Sequence, residues 1–246
     1  FLKLNILENN IFPRGYSIYN PKTDYVMRGL VTSYFREEEP VLFHTPEYSI
    51  NIARKILENI SKEKKIITLT VRELERDDFG KTRTINYPAW EKVFKKLEKS
   101  QYQPVIIRDT SKAHLTKPLF KNVPEITTAS YHLHIRYALY EKSYLNFFKN
   151  NGTWLPAFYS KSKIIAFNQF DNKQLVLSET WFKNNYGMSK GCQFPLTPKN
   201  SLIEWEGEST EIILAHIFET AKNLSNNESV GWPYYCMNNI VNSAQI

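Results

Sequence analysis

Cysteine is scarce in this chain of 246 residues, which carries Cys192 and Cys236 and no others. Two isolated sulfurs exclude a disulfide framework and a cysteine-based zinc site, since each needs several at short spacing. Histidine offers no metal cluster either. His44, His114, His132, His134 and His216 are scattered, and the nearest two sit two apart on a predicted helix, facing different ways. Long apolar runs are missing, and without about 18 consecutive apolar residues no spanning helix is expected. No signal peptide is visible from Phe1 onward, so the expected location is cytoplasmic. Glycine is sparse as well, at eight residues. There is no G-x-x-x-x-G-K-[ST] loop, no G-x-G-x-x-G fingerprint and no G-x-S-x-G elbow, which removes the strongest support for kinase-like and NAD-dehydrogenase readings.

What is present points to a folded domain. Hydrophobic residues make up 42% and charged residues 23%, near globular averages, and 14% aromatics suit a well-filled core. The net charge of +7, from 32 Lys+Arg against 25 Asp+Glu, favours anionic partners such as nucleotides, phosphates or acidic lipids. Peripheral attachment to a membrane is compatible with that charge. The basic residues are spread along the sequence rather than gathered in one block, so nucleic acid is not expected as a partner.

Residues 1–40 are irregular in pattern, with turn signals at Pro13-Arg14-Gly15 and Asn20-Pro21. Val41-Leu42-Phe43 is a short strand candidate. Pro46 then precedes a helix over about 47–60, with Ile52, Ala53, Ile56, Leu57 and Ile60 on one face. From Lys65 the pattern becomes regular. Strands are predicted at Lys65–Val71, Pro104–Ile107, Tyr144–Phe148, Ile164–Phe167 and Leu202–Trp205. Pro88 opens a helix with Trp90, Val93, Phe94 and Leu97 on one face. Thr127 and Thr128 are candidate caps for a helix carrying Tyr131, Ile135, Ala138 and Leu139, and Trp154–Tyr159 suits a short one. Residues 168–198 form a long polar, aromatic-rich loop of the kind that carries function. A last helix lines up Ile213, Ile217, Ala221 and Leu224. This alternation predicts an α/β fold, a Rossmann-like parallel sheet with helices on both faces. It divides the chain into a partial N-terminal region at 1–63, the sheet domain at 64–224, and a tail at 225–246 that packs back.

Right-handed crossovers bring every strand-to-helix junction to one sheet edge, where open α/β sheets bind ligands. Four junctions there carry polar residues. Arg72 follows the first strand, with Arg83 further along the same loop, and an arginine fork suits a phosphate; a surface ion pair with Glu73 or Glu75 is the alternative. Asp109 follows the second strand and can bind a ribose hydroxyl or cap a turn. Asn151-Gly152-Thr153 opens a helix whose amides attract phosphate, or forms a plain Asn-Gly turn. Glu206 and Ser209 precede the last helix, where Ser209 suits an N-cap.

Together these segments resemble the C-terminal half of a GT-B glycosyltransferase. The resemblance rests on Ile67–Glu73, Trp90 with Leu97, Pro104–Thr110, Arg136–Glu141, Leu145–Phe148 through Asn151-Gly152, and Ile203–Glu206. It covers about 64–224 and is nearest to bacterial glycosyltransferase-like proteins distantly akin to nodulation-type fucosyltransferases. Such a resemblance implies two facing Rossmann-like domains with a nucleotide-sugar between them. Arg72 would hold the donor diphosphate with backbone help from Asn151, Gly152 and Thr153, and Arg83 would be a second phosphate contact. Asp109, Glu206 and Ser209 would lie near the sugar or ribose. The resemblance implies no cofactor and no metal, in keeping with the absence of a D-x-D motif, and leaves the catalytic base unassigned. Residues 1–63 would be a partial or reduced acceptor-side region. The expected function is transfer of a sugar from a nucleotide-sugar to a glycan or other acceptor. The alternative is a non-catalytic glycan- or protein-binding module that uses Trp181, Phe182, Tyr186 and Phe194.

Overall fold

The computed structural model describes residues 45–73, 83–149, 154–158, 160–167, 170, 178–186, 189–193 and 200–224. The strand expected at 41–43, the Asn151-Gly152-Thr153 turn and the tail from 225 lie outside them.

Five strands form one sheet: β1 (Lys65–Thr70), β2 (Tyr102–Ile107), β3 (Leu145–Lys149), β4 (Ile164–Phe167) and β5 (Ser201–Glu204). All pairings are parallel, in the order β2-β1-β3-β4-β5. The helices are α1 (Glu47–Ile60), α2 (Tyr87–Leu97), α3 (Thr127–Tyr131), α4 (Leu133–Lys142), α5 (Trp154–Phe158), α6 (Glu179–Tyr186), α7 (Thr210–Ala215) and α8 (Ala221–Asn223). The Rossmann-like α/β expectation holds.

The pleat divides the core into two layers. Ile66, Val105, Ile107, Phe148, Ile164 and Ile203 face α1, α4 and α5. Ile67, Leu69, Ile106, Phe147, Ile165 and Phe167 face α2 and the α7–α8 region. Both faces of every central strand are thus covered, which is why these strands read as continuous apolar runs. One polar thread crosses the first layer: Thr68 Oγ1 donates to Asn146 Oδ1 at 2.6 Å, and Asn146 Nδ2 donates to the carbonyls of Tyr140 and Lys163. Every arm of that carboxamide is satisfied, as a fully buried amide requires.

Both sheet edges are closed to further strands. On β2, Ile106 exchanges backbone bonds with Pro124 and Ile126, Pro104 has no N–H to offer, and Tyr102 N–H bonds Ser100 Oγ. On β5, the Gln193 carboxamide accepts from Ile203 N–H at 2.7 Å and donates to Ile203 C=O at 2.9 Å, imitating a neighbouring strand. The adjacent Cys192 is disulfide-bonded; the chain's other cysteine, Cys236, lies outside the described residues.

Three elements depart from the sequence expectations. The helix expected from Thr127 onward breaks at His132, which is extended at φ −115°, and neither threonine caps it: the N-cap is Ile126. Arg136 makes the break tolerable, because its guanidinium takes the carbonyls of Ala129 and Ser130 at 2.6 and 3.1 Å. The last helix is interrupted by a π-helical turn over His216–Thr220. Ile213, Ile217 and Ala221 are spaced by four, and a widened turn keeps that row on the sheet instead of letting it precess. Finally, the supposed loop 168–198 contains α6, whose Trp181 and Phe182 pack partly buried against the core beside Phe170.

Candidate functional site

In an open parallel sheet of this order the chain reverses direction of winding between β1 and β3, and a crevice opens there at the carboxyl ends of the strands. The register sets Thr70 of β1 opposite Phe148 of β3, so both strands finish at the same level. Arg72 therefore follows β1 at the crevice, and Lys149 ends β3 beside it. The strand that leads to Asn151-Gly152-Thr153 ends next to Arg72; those three residues lie outside the described ones.

Arg72 and Arg83 are neighbours. Burial first, and then the like charge of Arg72, hold the Arg83 guanidinium below its ordinary value. Glu73 is not the partner of Arg72. Its carboxylate is taken by Arg108, which donates from Nε at 2.9 Å and Nη2 at 2.6 Å in a two-pronged pair. Arg108 also donates to Lys117 C=O at 3.0 Å and stands 3.6 Å from Glu125. Among the described residues Arg72 has no ion-pair partner. Tyr87 sits against this cluster; burial and then Glu73 push its phenol up.

The second charged cluster is centred on Glu208. Its carboxylate accepts from Lys149 Nζ at 2.7 Å, Trp90 Nε1 at 2.9 Å and Asn86 N–H at 2.9 Å. Asn86 in turn caps α2 and donates to Glu208 C=O at 2.9 Å. Side-chain exposure is 6% for Lys149 and 1% for Glu208, so the pair lives in a low-dielectric setting where full hydrogen bonding is obligatory. Three elements are joined there: the end of β3, the start of α2 and the β5–α7 connection.

The other sequence candidates spread along the same edge. Asp109, after β2, closes a turn by accepting from Ser111 N–H and Oγ at 3.1 and 3.0 Å. Ser209 caps α7, accepting from Ile212 N–H at 3.2 Å. Glu206 is exposed and 3.3 Å from Lys190 Nζ. It follows β5, three strand spacings or about 14 Å across the sheet from β1. The structure thus brings Arg72 and Arg83 together and keeps Asp109 and Glu206 on opposite flanks.

Glu204 ends β5 and accepts from His216 Nε2 at 2.8 Å, while His216 Nδ1 pairs with Thr220 Oγ1 at 3.0 Å. Burial raises the Glu204 carboxyl, but the His216 hydrogen bond, the Glu206 amide and the imidazole charge together hold it below 4.5.

Lys149, Arg108 and Glu208 were missed from sequence. The available signal was strand parity: Lys149 and Arg108 close apolar strands, where a cation needs a buried partner.

No family model matches the chain, and no curated protein matches it. Among solved structures, a glycosyl transferase family 9 protein from Veillonella parvula DSM 2008 is similar over 82% of this chain and 52% of its own, at 10% identity and TM-score 0.46. The wall teichoic acid polymerase TagF, as an H444N form with CDPG, is similar over 82% and 45%, at 11% identity and TM-score 0.45. A second TagF structure is similar over 73% and 40%, at 11% identity and TM-score 0.42. The chain therefore spans about half the length of these proteins or less. The fold assignment rests on the sheet itself, and the fucosyltransferase resemblance has no counterpart among these three.

Two outcomes follow for the charged clusters. Glu208→Leu strands the Lys149 ammonium and costs about 3–5 kcal/mol in urea unfolding, while Glu208→Leu combined with Lys149→Met recovers much of that loss. Because Glu204 is depressed, its contribution is complete above pH 4.5 and is lost as pH falls through the lowered value. Glu204→Gln should accordingly flatten the fall of the urea midpoint on the acid side of 4.5; an unchanged slope would show that the carboxylate adds nothing.

Proposed function

We propose that this chain is the donor-binding part of a glycosyltransferase that moves a sugar from a nucleotide-sugar to a glycan or other acceptor. One observation carries the reading: Arg72 follows β1 at the β1/β3 crevice with no ion-pair partner among the described residues, and the charge of Arg83 lies near enough to be felt there. Like charges held together at a ligand-binding edge favour an anion between them, and a diphosphate supplies two. The resemblance in the sequence supplies the reaction class.

In this reading Arg72 and Arg83 hold the diphosphate, and Asn151, Gly152 and Thr153 add backbone N–H groups. As the glycosidic bond to the diphosphate breaks, the developing negative charge is met by the two arginines, so no bound metal is required. Asp109, Glu206 and Ser209 flank the ribose and sugar. The acceptor hydroxyl loses its proton to a base that is left unassigned. The nucleotide-sugar is taken as substrate, without a cofactor. The binding-module alternative draws less support, because Trp181 and Phe182 pack into the core rather than forming an open aromatic surface.

Arg108 has a positioning role here. By occupying both oxygens of Glu73, it keeps that carboxylate from neutralising Arg72.

Calorimetric titration with GDP, UDP, ADP and CMP should give saturable heat for at least one nucleotide. Arg72→Ala should weaken it by about 10- to 100-fold, the worth of a charge-assisted contact. Absence of binding to all four would overturn the proposal. Arg108→Ala should weaken binding several-fold although Arg72 is intact, and adding Glu73→Ala should restore it. A double variant no better than Arg108→Ala would remove the positioning role and leave the nucleotide site standing.

A further inference from the structure

The amino edge of the sheet, opposite the candidate site, gathers cations that the sequence keeps apart. A groove of about 590 Å³ there is lined by Arg54 of α1, Lys62, Lys64 and Lys65 from the turn into β1, and Lys142 at the end of α4. Glu58 is the carboxylate in its wall, and Glu63 is exposed in the same turn. Helices α1, α2 and α4 each run into a strand start, so their negative ends collect at this edge and draw lysines to it. Lys64 Nζ makes that contact directly, donating to Glu98 C=O behind α2 at 2.9 Å.

Lys163 Nζ likewise donates to a carbonyl, that of Ala221, at 3.3 Å. Lys65 and Lys163 place their ammonium groups 4.8 and 5.5 Å from the centre of one ring, Tyr144. Burial, and then the charge of Lys65, hold Lys163 below its ordinary value. Tyr144 packs on Tyr102, whose other neighbour is Phe218, 39% exposed to solvent. Crowded ammonium groups beside an exposed phenyl ring are the composition of a surface that meets headgroup phosphates and the top of the acyl layer.

We infer that the amino edge is a docking face for an anionic lipid bilayer, with Arg54, Lys62, Lys64, Lys65 and Lys142 over the phosphates and Phe218 at the interface. Lysine dominates the groove, and its point charges suit a fluid array of phosphates better than a fixed ligand, which favours arginine forks. A single-stranded nucleic acid needs open aromatic faces for its bases. Here the Tyr144 ring is covered by two lysines and Tyr102 is buried. Docked this way, the sheet stands with its carboxyl edge turned away from the membrane. The inference uses no residue of the proposed nucleotide site and stands apart from it.

Vesicle co-sedimentation of the full chain tests it. Phosphatidylcholine vesicles with about 30 mol % phosphatidylglycerol should bind the protein at ~50 mM salt and release it at ~500 mM, while pure phosphatidylcholine binds none. Lys62→Glu with Lys142→Glu, both exposed, should weaken binding at least tenfold, each lysine at such a surface being worth about fivefold. Calorimetric nucleotide binding should be unchanged in that variant, so the two readings fail separately. Failure to bind the anionic vesicles, or equal binding by the variant, would overturn the inference. So would tighter binding of a mixed-sequence oligonucleotide than of the vesicles at equal salt.

Discussion

A single buried carboxylate organises the functional edge of this protein. Glu208 has almost no contact with water, and an unpaired charge in that position would be costly enough to unfold its surroundings. It is held by Lys149 from β3, Trp90 and Asn86 from α2, and its own place just before α7. None of these elements can move without breaking a charge-assisted bond, so three chain segments far apart in sequence must arrive together. Arg108 and Glu73 do the same between the ends of β1 and β2. The walls of the β1/β3 crevice are therefore made of matched charge. Against that background Arg72 stands out, because among the described residues it has no ion-pair partner.

The two ends of the sheet carry different electrostatics. At the carboxyl edge most charges are paired in fixed geometry, by two-pronged or multiply bonded contacts. At the amino edge lysines crowd on flexible stems around a groove and over one tyrosine ring. The net charge of +7 is thus not a uniform coat. A precise arrangement suits a ligand of defined shape, and a diffuse one suits an extended anionic surface.

Much of the architecture was readable from periodicity. The strands and the amphipathic α2 stood out because apolar runs bounded by polar turns have few other ways to be buried. Where reading failed, a side chain from elsewhere had altered the local preference. Arg136 caps carbonyls from the preceding turn and so permits a break at His132 inside a pattern that otherwise continues. The π-helical turn serves a four-residue row on the sheet, and its His216 is fixed by Glu204 from another element. At the edge, Asp109 drew attention in the sequence as a carboxylate beside a strand, yet its oxygen closes a local turn. The neighbouring Arg108 makes the long-range pair.

By itself the sequence determined the class of fold, the positions of the strands and the edge at which Arg72 and Arg83 emerge, because each follows from local periodicity and the handedness of crossovers. Only the tertiary structure decided which charges neutralise one another. Pairing depends on through-space distance between segments as remote as residues 149 and 208, and no spacing rule carries that information. The same holds for the basic groove, where Arg54, Lys62 and Lys142 look dispersed along the chain. They become one surface because every helix that precedes a strand must end at the amino edge of a parallel sheet.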